Sequence, residues 1–273
     1  VSVNPFTGTD LVDRFNYADG PLALHSSFVW ARHSGGTNEL QVQGGRVQLS
    51  QAQTEDVHAM FLGPPVGAYT TNSGRVIYSS LAVQFTALPD GTGNFFAHLM
   101  EVGNVVFRAR IFASTNGAAP GHYRLGIANG SSDVSALHLH DLALEEVVIV
   151  TTRYTVDTAE TVLWVNALAE SDEHVAATDS VGPVDINAFA FRQAAGIGVL
   201  AVDDLITGGT FEAVRGEPAI RLEIKRSGSL FQITWPASPA GYVLQSTTAL
   251  PSGWSDYTDQ GMAADGKKTV LLP

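Results

Sequence analysis

The sequence predicts an all-β chain built as an antiparallel sandwich or barrel, and three observations lead to this. Segments with alternating apolar and polar residues recur, with the period of two that is typical of half-buried strands. Gly, Asn, Asp and Pro separate them, as in "LPDGTGN" and "STNGAAPGH". Helical periodicity is nearly lacking, and many short strands joined by turns are typical of sandwiches and barrels.

The alternating segments follow one another closely from residue 75 to residue 166. The stretch 132–146 suits either a short helix or a strand, because Leu137 and Leu139 alternate with polar residues. The predicted strands, in chain order, are 75–88, 94–102, 104–112, 122–129, 146–156 and 161–166.

A second, smaller unit is predicted to begin near Gly216, so that the domains are 1–215 and 216–273. "VRGEP" (214–218) interrupts the pattern, and five short alternating segments follow. This pattern of short strands is typical of immunoglobulin- and fibronectin-type modules. We expect Trp235 and Tyr242 to be aromatic residues of the core of this unit. Such modules usually need about seven strands and about 100 residues. This one is therefore either minimal or incomplete, which leaves an open sheet edge.

Composition narrows the classes of function. The chain has 273 residues, of which 45% are hydrophobic and 15% charged, so it can bury a large core. Apolar runs such as "EEVVIV" are too short to cross a membrane as a helix. The lack of cysteine excludes disulfides, thiolate nucleophiles and cysteine-ligated zinc. A net charge of −12 would repel phosphate backbones, so nucleic acid is not an expected partner.

Several stretches of residues 1–215 resemble, in order, the concanavalin A-like, laminin-G-like jelly-roll domains of secreted bacterial proteins. The resemblance implies an antiparallel jelly-roll sandwich and a secreted or cell-surface location. It implies no single function, because this sandwich hosts lectins, glycan hydrolases, polysaccharide lyases and structural spacers. The tail 230–256 resembles the small β-modules that follow such domains in exported proteins. The stretches that carry the first resemblance are "DRFNYADGPL" (13–22), "FVWARHSG" (28–35), "VVFRARI" (105–111), "YRLGIANG" (123–130), "TVLWVNALAES" (161–171) and "IGVLAVDDLITGGTFEAV" (197–214).

A hydrolase site on such a fold is expected to carry carboxylates at the spacing E-x-D-x-x-E on one strand. The nearest match is "ESDEHV" (170–175), in which Glu170 and Asp172 fit but Val175 replaces the second glutamate. This polar stretch is better interpreted as a solvated loop.

Arg108 and Arg110 are candidate ligand-binding residues. Strand alternation predicts that they share one face with Val106 and Phe112. There they would either meet a sugar or cover apolar neighbours and pair with acids such as Glu101. A third candidate is Tyr69, in the long polar loop 64–74, because binding residues are often carried on loops.

The sequence contains two candidate metal sites. His138 and His140, in "LHLHD", have a spacing that would allow shared ligation together with Asp141, but two imidazoles and one acid are a weak signal for a metal site. The resemblance suggests a structural Ca²⁺ that joins the first strand to the last, with Asp13, Asp203 and Asp204 as ligands. The alternative is that the inward acid accepts backbone hydrogen bonds or pairs with an arginine. Alternation places Asp203 and Asp204 on opposite faces, and we expect Asp203 to point inward.

Three hypotheses of function follow. The first is a non-enzymatic secreted or cell-surface protein that binds a polysaccharide or surface glycan, or mediates adhesion. The second is a structural subunit of an extracellular filament or surface assembly, in which the arm 1–12 adds a strand to another copy of the chain. The third is a diverged carbohydrate-active enzyme. Apart from the Ca²⁺, no cofactor is expected.

Overall fold

The computed structural model describes residues 9–36, 38–61, 69–101, 103, 105–215, 223–228, 230–236, 244–246, 255–258, 261–264 and 267–272. The chain divides into two compact units, Val1–Arg215 and Gly216–Pro273. In the part of the chain described, no helix is both long and apolar enough to cross a membrane. Most of the N-terminal arm, residues 1–8, and Tyr242 lie outside the described residues.

The first unit consists of short strands with two single-turn helices. Its elements are β1 (Thr9–Asp13), β2 (Gly20–Pro21), α1 (Leu22–His25), β3 (Trp30–Ser34), β4 (Gln41–Gln43), β5 (Arg46–Ser50), β6 (Asp56–Met60), β7 (Val76–Ala87), β8 (Asn94–Glu101), β9 (Phe107–Ser114), β10 (His122–Ala128), β11 (Ala136–Leu137), β12 (Leu142–Ala143), β13 (Val147–Thr155), β14 (Glu160–Val165), β15 (His174–Ala176), β16 (Ile186–Phe191), β17 (Val199–Gly208) and α2 (Phe211–Val214).

These strands form two large antiparallel sheets, so the predicted all-β antiparallel sandwich is confirmed. The nine-stranded sheet has the order β15-β14-β13-β7-β17-β5-β4-β2, with β1 also paired to β17. The eight-stranded sheet has the order β11-β10-β9-β8-β16-β6-β3, with β12 also paired to β10. The stretch 132–146, which suited helix or strand, forms the two short strands β11 and β12.

One hydrophobic core draws on the inner faces of both sheets. At its centre the ring of Phe85, on β7, lies 4.3 Å from the ring of Tyr123 and 5.9 Å from that of Phe96, which belong to the opposite sheet. All three side chains are fully buried. Full burial stabilises the fold by about 1.5–3 kcal/mol per large apolar side chain, so these contacts hold the sheets together.

A β-bulge in β17 corrects the predicted orientation of its two acids. Leu200, Val202 and Leu205 all belong to the core, so the alternation shifts by one residue between Val202 and Leu205. Asp204 has a φ of +49°, a conformation that Asp tolerates better than most residues. Asp203 is half-buried and Asp204 exposed, and both lie on the outer face of the sheet. The prediction that Asp203 shares the inward side with Leu205 is therefore wrong.

The acid that does point inward is Asp13, on β1, which is paired to Leu205 of β17. Its Oδ1 accepts a hydrogen bond from the backbone N–H of Phe15 at 2.8 Å. Its Oδ2 accepts from the hydroxyl of Tyr17 at 2.8 Å and from Nε1 of Trp30 at 2.7 Å. Since Trp30 begins β3, this carboxylate joins the nine-stranded sheet to the eight-stranded one.

The second unit contains two small sheets. Its strands are β18 (Glu223–Ser227), β19 (Leu230–Pro236), β20 (Gln245–Ser246), β21 (Ser255–Asp256), β22 (Met262–Ala264) and β23 (Lys267–Leu272). Four of them pair in the order β18-β19-β23-β22, and β20 pairs with β21. Trp235 is buried in a small core with Ile233 and Val270, as the sequence predicts for this aromatic residue. Its likeness to an immunoglobulin-type module stays a prediction.

We expect Asp13→Asn to lower the free energy of unfolding by about 1–3 kcal/mol, because at least one buried donor would lose its acceptor. Urea unfolding of the full chain, followed by tryptophan fluorescence, measures this change. Asp204→Asn is the matched control, since its side chain is 57% exposed and a surface change of this kind shifts stability by less than about 0.5 kcal/mol. Equal stability of the two variants would contradict the structural role of Asp13.

Candidate functional site

A row of side chains crosses the outer face of the eight-stranded sheet. His98 of β8 pairs with Ala190 of β16, which pairs with His58 of β6. Residues that face each other on neighbouring strands point to the same side of the sheet. Because Leu99, Phe189 and Ala59 fill the core, the row points away from it.

A third histidine joins this row from the edge strand β3. The ring of His33 lies 5.4 Å from that of His58 and 6.1 Å from that of His98, with edge-to-face geometry in both pairs. Ala190, which lies between His58 and His98, ends at Cβ and is fully buried. Its small side chain leaves room for the imidazole of His33 to contact both neighbours.

Two arginines and two phenylalanines continue the same surface. The ring of Phe107 lies 4.1 Å from His98. The guanidinium of Arg110 is 4.6 Å from the centroid of Phe95, and that of Arg192 is 4.2 Å from the same ring. Such distances are typical of cation–π contacts. We call this surface the histidine–arginine face, and its members are His33, His58, Phe95, His98, Phe107, Arg110 and Arg192.

The two guanidiniums are paired with no acid of the described residues. Among the described residues, no carboxylate oxygen lies within 4.0 Å of either one. Burial lowers the pKa of both side chains, and the positive charges of Arg192 and Arg108 lower that of Arg110 further. The nearby Asp56 accepts from the backbone N–H of Gln193 and the hydroxyl of Ser34 instead.

The imidazoles are neutral at pH 7 and incompletely hydrogen-bonded. Burial is the main cause that lowers the pKa of His33 and His58, and it lowers the pKa of His98 to about 3. Both ring nitrogens of His33, Nδ1 of His58, Nε2 of His98 and Nε of Arg110 are buried without a hydrogen-bond partner. A buried polar atom without a partner is costly, so these atoms mark the face as a place where the chain keeps polar groups that its own described residues do not satisfy.

Of the arginine pair that the sequence singles out, only Arg110 belongs to the face. Ala109 has a φ of +49° and the β8–β9 register shifts there, so the alternation breaks between the two arginines. Arg108 is 9% exposed, and its Nη2 and Nε donate to the carbonyl of Gly182 at 2.8 and 3.3 Å. The prediction that both arginines share one face is wrong, and Arg108 anchors a loop.

Tyr69 is not on the surface. It is 4% exposed and packs against Phe61 in the core, and its backbone pairs with that of Ile186. Its hydroxyl donates to the buried carboxylate of Asp10. The expectation of an exposed, loop-borne tyrosine is therefore wrong, because a buried acceptor draws the ring inward.

The structure does not bring the three proposed calcium ligands together. The strands of Asp13 and Asp203 are neighbours, as the prediction requires. However, Asp13 points into the core, whereas Asp203 and Asp204 lie on the outer face, where Arg46 and Arg14 approach them to 4.0 Å. Within the described residues, no group of three His, Asp or Glu side chains is arranged to hold a metal ion. Calcium binding stays a prediction without an assigned site.

The remaining candidate motifs have local roles. Asp172 accepts hydrogen bonds from the backbone N–H groups of Leu168 and Ala169, and Glu170 accepts from Tyr78 and Arg153. The stretch 170–175 is mainly a loop that these bonds hold. His138 is buried and His140 exposed, so the two do not form a shared site.

The sequence patterns do not identify His33, His58, His98 or Arg192 as site residues. A signal was present, because His58 and His98 each interrupt an apolar run that forms a strand. Alternation along one strand shows that such residues share a side, but it does not reveal which strands are neighbours. Only the order β8-β16-β6-β3 brings these residues together.

Comparisons with known proteins find similarity in structure alone. No protein-family model matches the chain, and no curated protein matches it significantly. Lectin II from Ulex europaeus is 14% identical, with a TM-score of 0.46 over 75% of this chain and 100% of the lectin. A lectin from Bauhinia forficata in complex with GalNAc is 11% identical, with a TM-score of 0.43 over 73% and 99%. The PL7 alginate lyase AlyA1 from Zobellia galactanivorans is 13% identical, with a TM-score of 0.43 over 74% and 96%.

We expect acid to destabilise the fold through the buried histidines. Since burial lowers their pKa, the unfolded chain binds more protons as pH falls below the ordinary value of about 6.5. The stability that a neutral His98 provides is complete above that pH and is lost on going to lower pH. With a folded-state pKa of about 3, His98 alone accounts for a loss of about 2 kcal/mol between pH 7 and pH 5.

Chemical unfolding of the full chain at pH 7, 6 and 5 measures this loss. His98→Gln should flatten the dependence on pH by about that amount, even if the variant is less stable overall. His140→Gln, at an exposed histidine outside the face, is the control and should keep the wild-type slope. The same slope in all three proteins would contradict the assignment.

Proposed function

We propose that residues 1–215 bind a glycan through the histidine–arginine face, without catalysis. The observation that carries the proposal is the meeting of aromatic rings, guanidiniums and neutral imidazoles on one outer sheet face, with several of their polar atoms unpartnered. Ligand sites combine apolar and aromatic walls with a few placed polar groups. A sugar offers both kinds of surface, since its C–H groups pack on rings and its hydroxyls donate and accept.

The neutral imidazoles suit hydroxyl recognition. A neutral histidine has one donor and one acceptor nitrogen, so it can bind a hydroxyl in either direction. Both ring nitrogens of His33 are buried without a partner among the described residues, so a hydroxyl would bind them once this half-buried ring turns outward. The side chains of His33, Phe107 and Arg110 are half-buried, so solvent reaches the face from outside. A secreted or cell-surface location and a role in adhesion are part of this proposal.

A second candidate is a glycan-cleaving enzyme that uses the same face. The observation in its favour is the half-buried ring of His33 on the face, because an imidazole kept in its neutral form near a bound sugar can accept a proton. We rank it second, since Glu170 and Asp172 are engaged in loop contacts. Release of reducing ends from polysaccharides, lost in His33→Ala, would favour the enzyme. The alternative of self-assembly rests on the arm 1–12 and stays a prediction.

Affinity electrophoresis of the full chain through gels that contain single polysaccharides tests glycan binding. We expect retardation by at least one polysaccharide and about tenfold weaker binding in Phe107→Ala, which corresponds to about 1.4 kcal/mol. Phe231→Ala removes a 47% exposed phenylalanine of the second unit and is the matched control. Unretarded migration in every gel would overturn the proposal.

A further inference from the structure

The proposed function leaves open what kind of glycan the face accepts, and the two arginines over Phe95 bear on this. Their guanidiniums lie 4.2 and 4.6 Å from the centroid of that ring, so two positive charges lie against one aromatic side chain. No carboxylate of the described residues contacts either of them. The charge of Arg192 also lowers the pKa of Arg110, and partly desolvated charges interact more strongly than charges in water because the effective dielectric constant near them is lower.

From this pair we infer that the face binds an anionic group, a carboxylate or a sulfate ester, carried by an acidic glycan. That the ligand is a glycan rests on the proposed function. That it carries a negative charge rests on Arg110 and Arg192. An anion in contact with these guanidiniums would supply the negative charge that no described carboxylate supplies. Planar guanidiniums suit this task, since they bind carboxylate and sulfate-like groups through paired N–H donors.

Each arginine is anchored to the protein through one nitrogen of its guanidinium, Nη1. Nη1 of Arg192 donates to Oδ1 of Asn94 at 2.9 Å, and Nη1 of Arg110 donates to the carbonyl of Ser131 at 3.1 Å. Within the described part of the chain, Nε and Nη2 of both arginines donate no hydrogen bond to protein. The anchored Nη1 atoms fix the orientation of each fork. Because Nε of Arg110 is buried, the donors that an anion would contact are Nη2 of Arg110 and the Nε and Nη2 of Arg192.

A fully buried group next to the pair adds a second, independent indication. His98 has no exposed surface, and its Nε2 has no hydrogen-bond partner. Burial lowers the pKa of His98, and electrostatic interactions with His33, Arg110 and Arg192 lower it further. The ring of His98 lies 5.6 Å from that of Phe95, the ring that both arginines contact. An unsatisfied buried polar group therefore adjoins the pair, which fits a built site better than a chance surface pair.

The charge of the whole chain makes the site selective. The net charge is −12, so acidic polymers are repelled in general and are attracted only where positive charge is unpaired. Unspecific binding of acidic polymers is therefore expected to be weak. Binding that depends on two named arginines can be measured against a low background.

The test compares polysaccharides that share a backbone and differ in whether they carry charge. Dextran is paired with dextran sulfate, and hydroxyethylcellulose with carboxymethylcellulose, by titration calorimetry on the full chain. We expect at least tenfold tighter binding of one charged member over its neutral counterpart, weakening as salt is raised. The two pairs show whether sulfate or carboxylate is preferred. Equal affinity for charged and neutral members would overturn the inference while leaving the proposed function intact.

Variants assign the effect to the arginine pair. Arg110→Gln and Arg192→Gln should each weaken binding of the charged polymer at least tenfold and that of the neutral polymer less than twofold. Arg46→Gln, at a partly exposed arginine on the nine-stranded sheet, is the matched control. Arg110→Lys keeps the charge but not the planar fork, and it should give an intermediate loss even if the Gln variants fold poorly. Unchanged binding in a folded Arg110 variant would contradict the inference.

Inorganic sulfate separates the anion site from the glycan. We expect sulfate to raise the melting temperature of the wild type more than an equal ionic strength of chloride does, and to lose this advantage in Arg110→Gln. A sulfate effect without binding of any polysaccharide would support the anion site and overturn the proposed function. The same sulfate effect in both proteins would count against the anion site.

Discussion

The hydrogen bond from Trp30 to Asp13 is the contact on which the candidate site depends. Asp13 belongs to the nine-stranded sheet, and Trp30 begins β3, the edge strand of the other sheet. An edge strand has a partner on one side only, so its position needs support from elsewhere. Trp30 supplies it, because its ring also stacks on Phe191 at a centroid distance of 5.0 Å. Since His33 is on the same strand, a core interaction sets the position of a surface imidazole.

Irregularities of the strands, more than their regular parts, decide what reaches the surface. The left-handed conformation at Ala109 turns Arg108 away from the face that bears Arg110. The bulge around Asp204 keeps both acids of β17 out of the core. Bulges re-aim the side chains that follow them, and they are frequent next to functional sites. These irregularities rule out the Arg108–Arg110 pair and the group of Asp13, Asp203 and Asp204 as sites. The irregularity at Ala109 leaves Arg110 on the histidine–arginine face.

The histidine–arginine face costs stability that the fold alone does not require. Two partly buried guanidiniums repel each other, and several imidazole nitrogens lack partners. In other proteins, replacing buried charged groups with hydrophobic residues of similar size is often neutral or stabilising for the fold. Groups whose environment opposes their charged form are concentrated at functional sites. The large core can tolerate the cost, because its rings are fully buried and tightly packed.

The sequence by itself determined that the chain is an all-β sandwich, since period-two alternation and turn residues are local properties. It also identified Arg110 and the loop character of residues 170–175. Only the tertiary structure decided that His33, His58 and Arg192 share one sheet face with Arg110, because these residues are far apart along the chain and come together through the order of strands. It likewise decided that Tyr69 is buried, since the acceptor that draws it inward, Asp10, is on a distant strand. Alternation predicts faces along one strand, whereas bulges and strand order depend on contacts between strands.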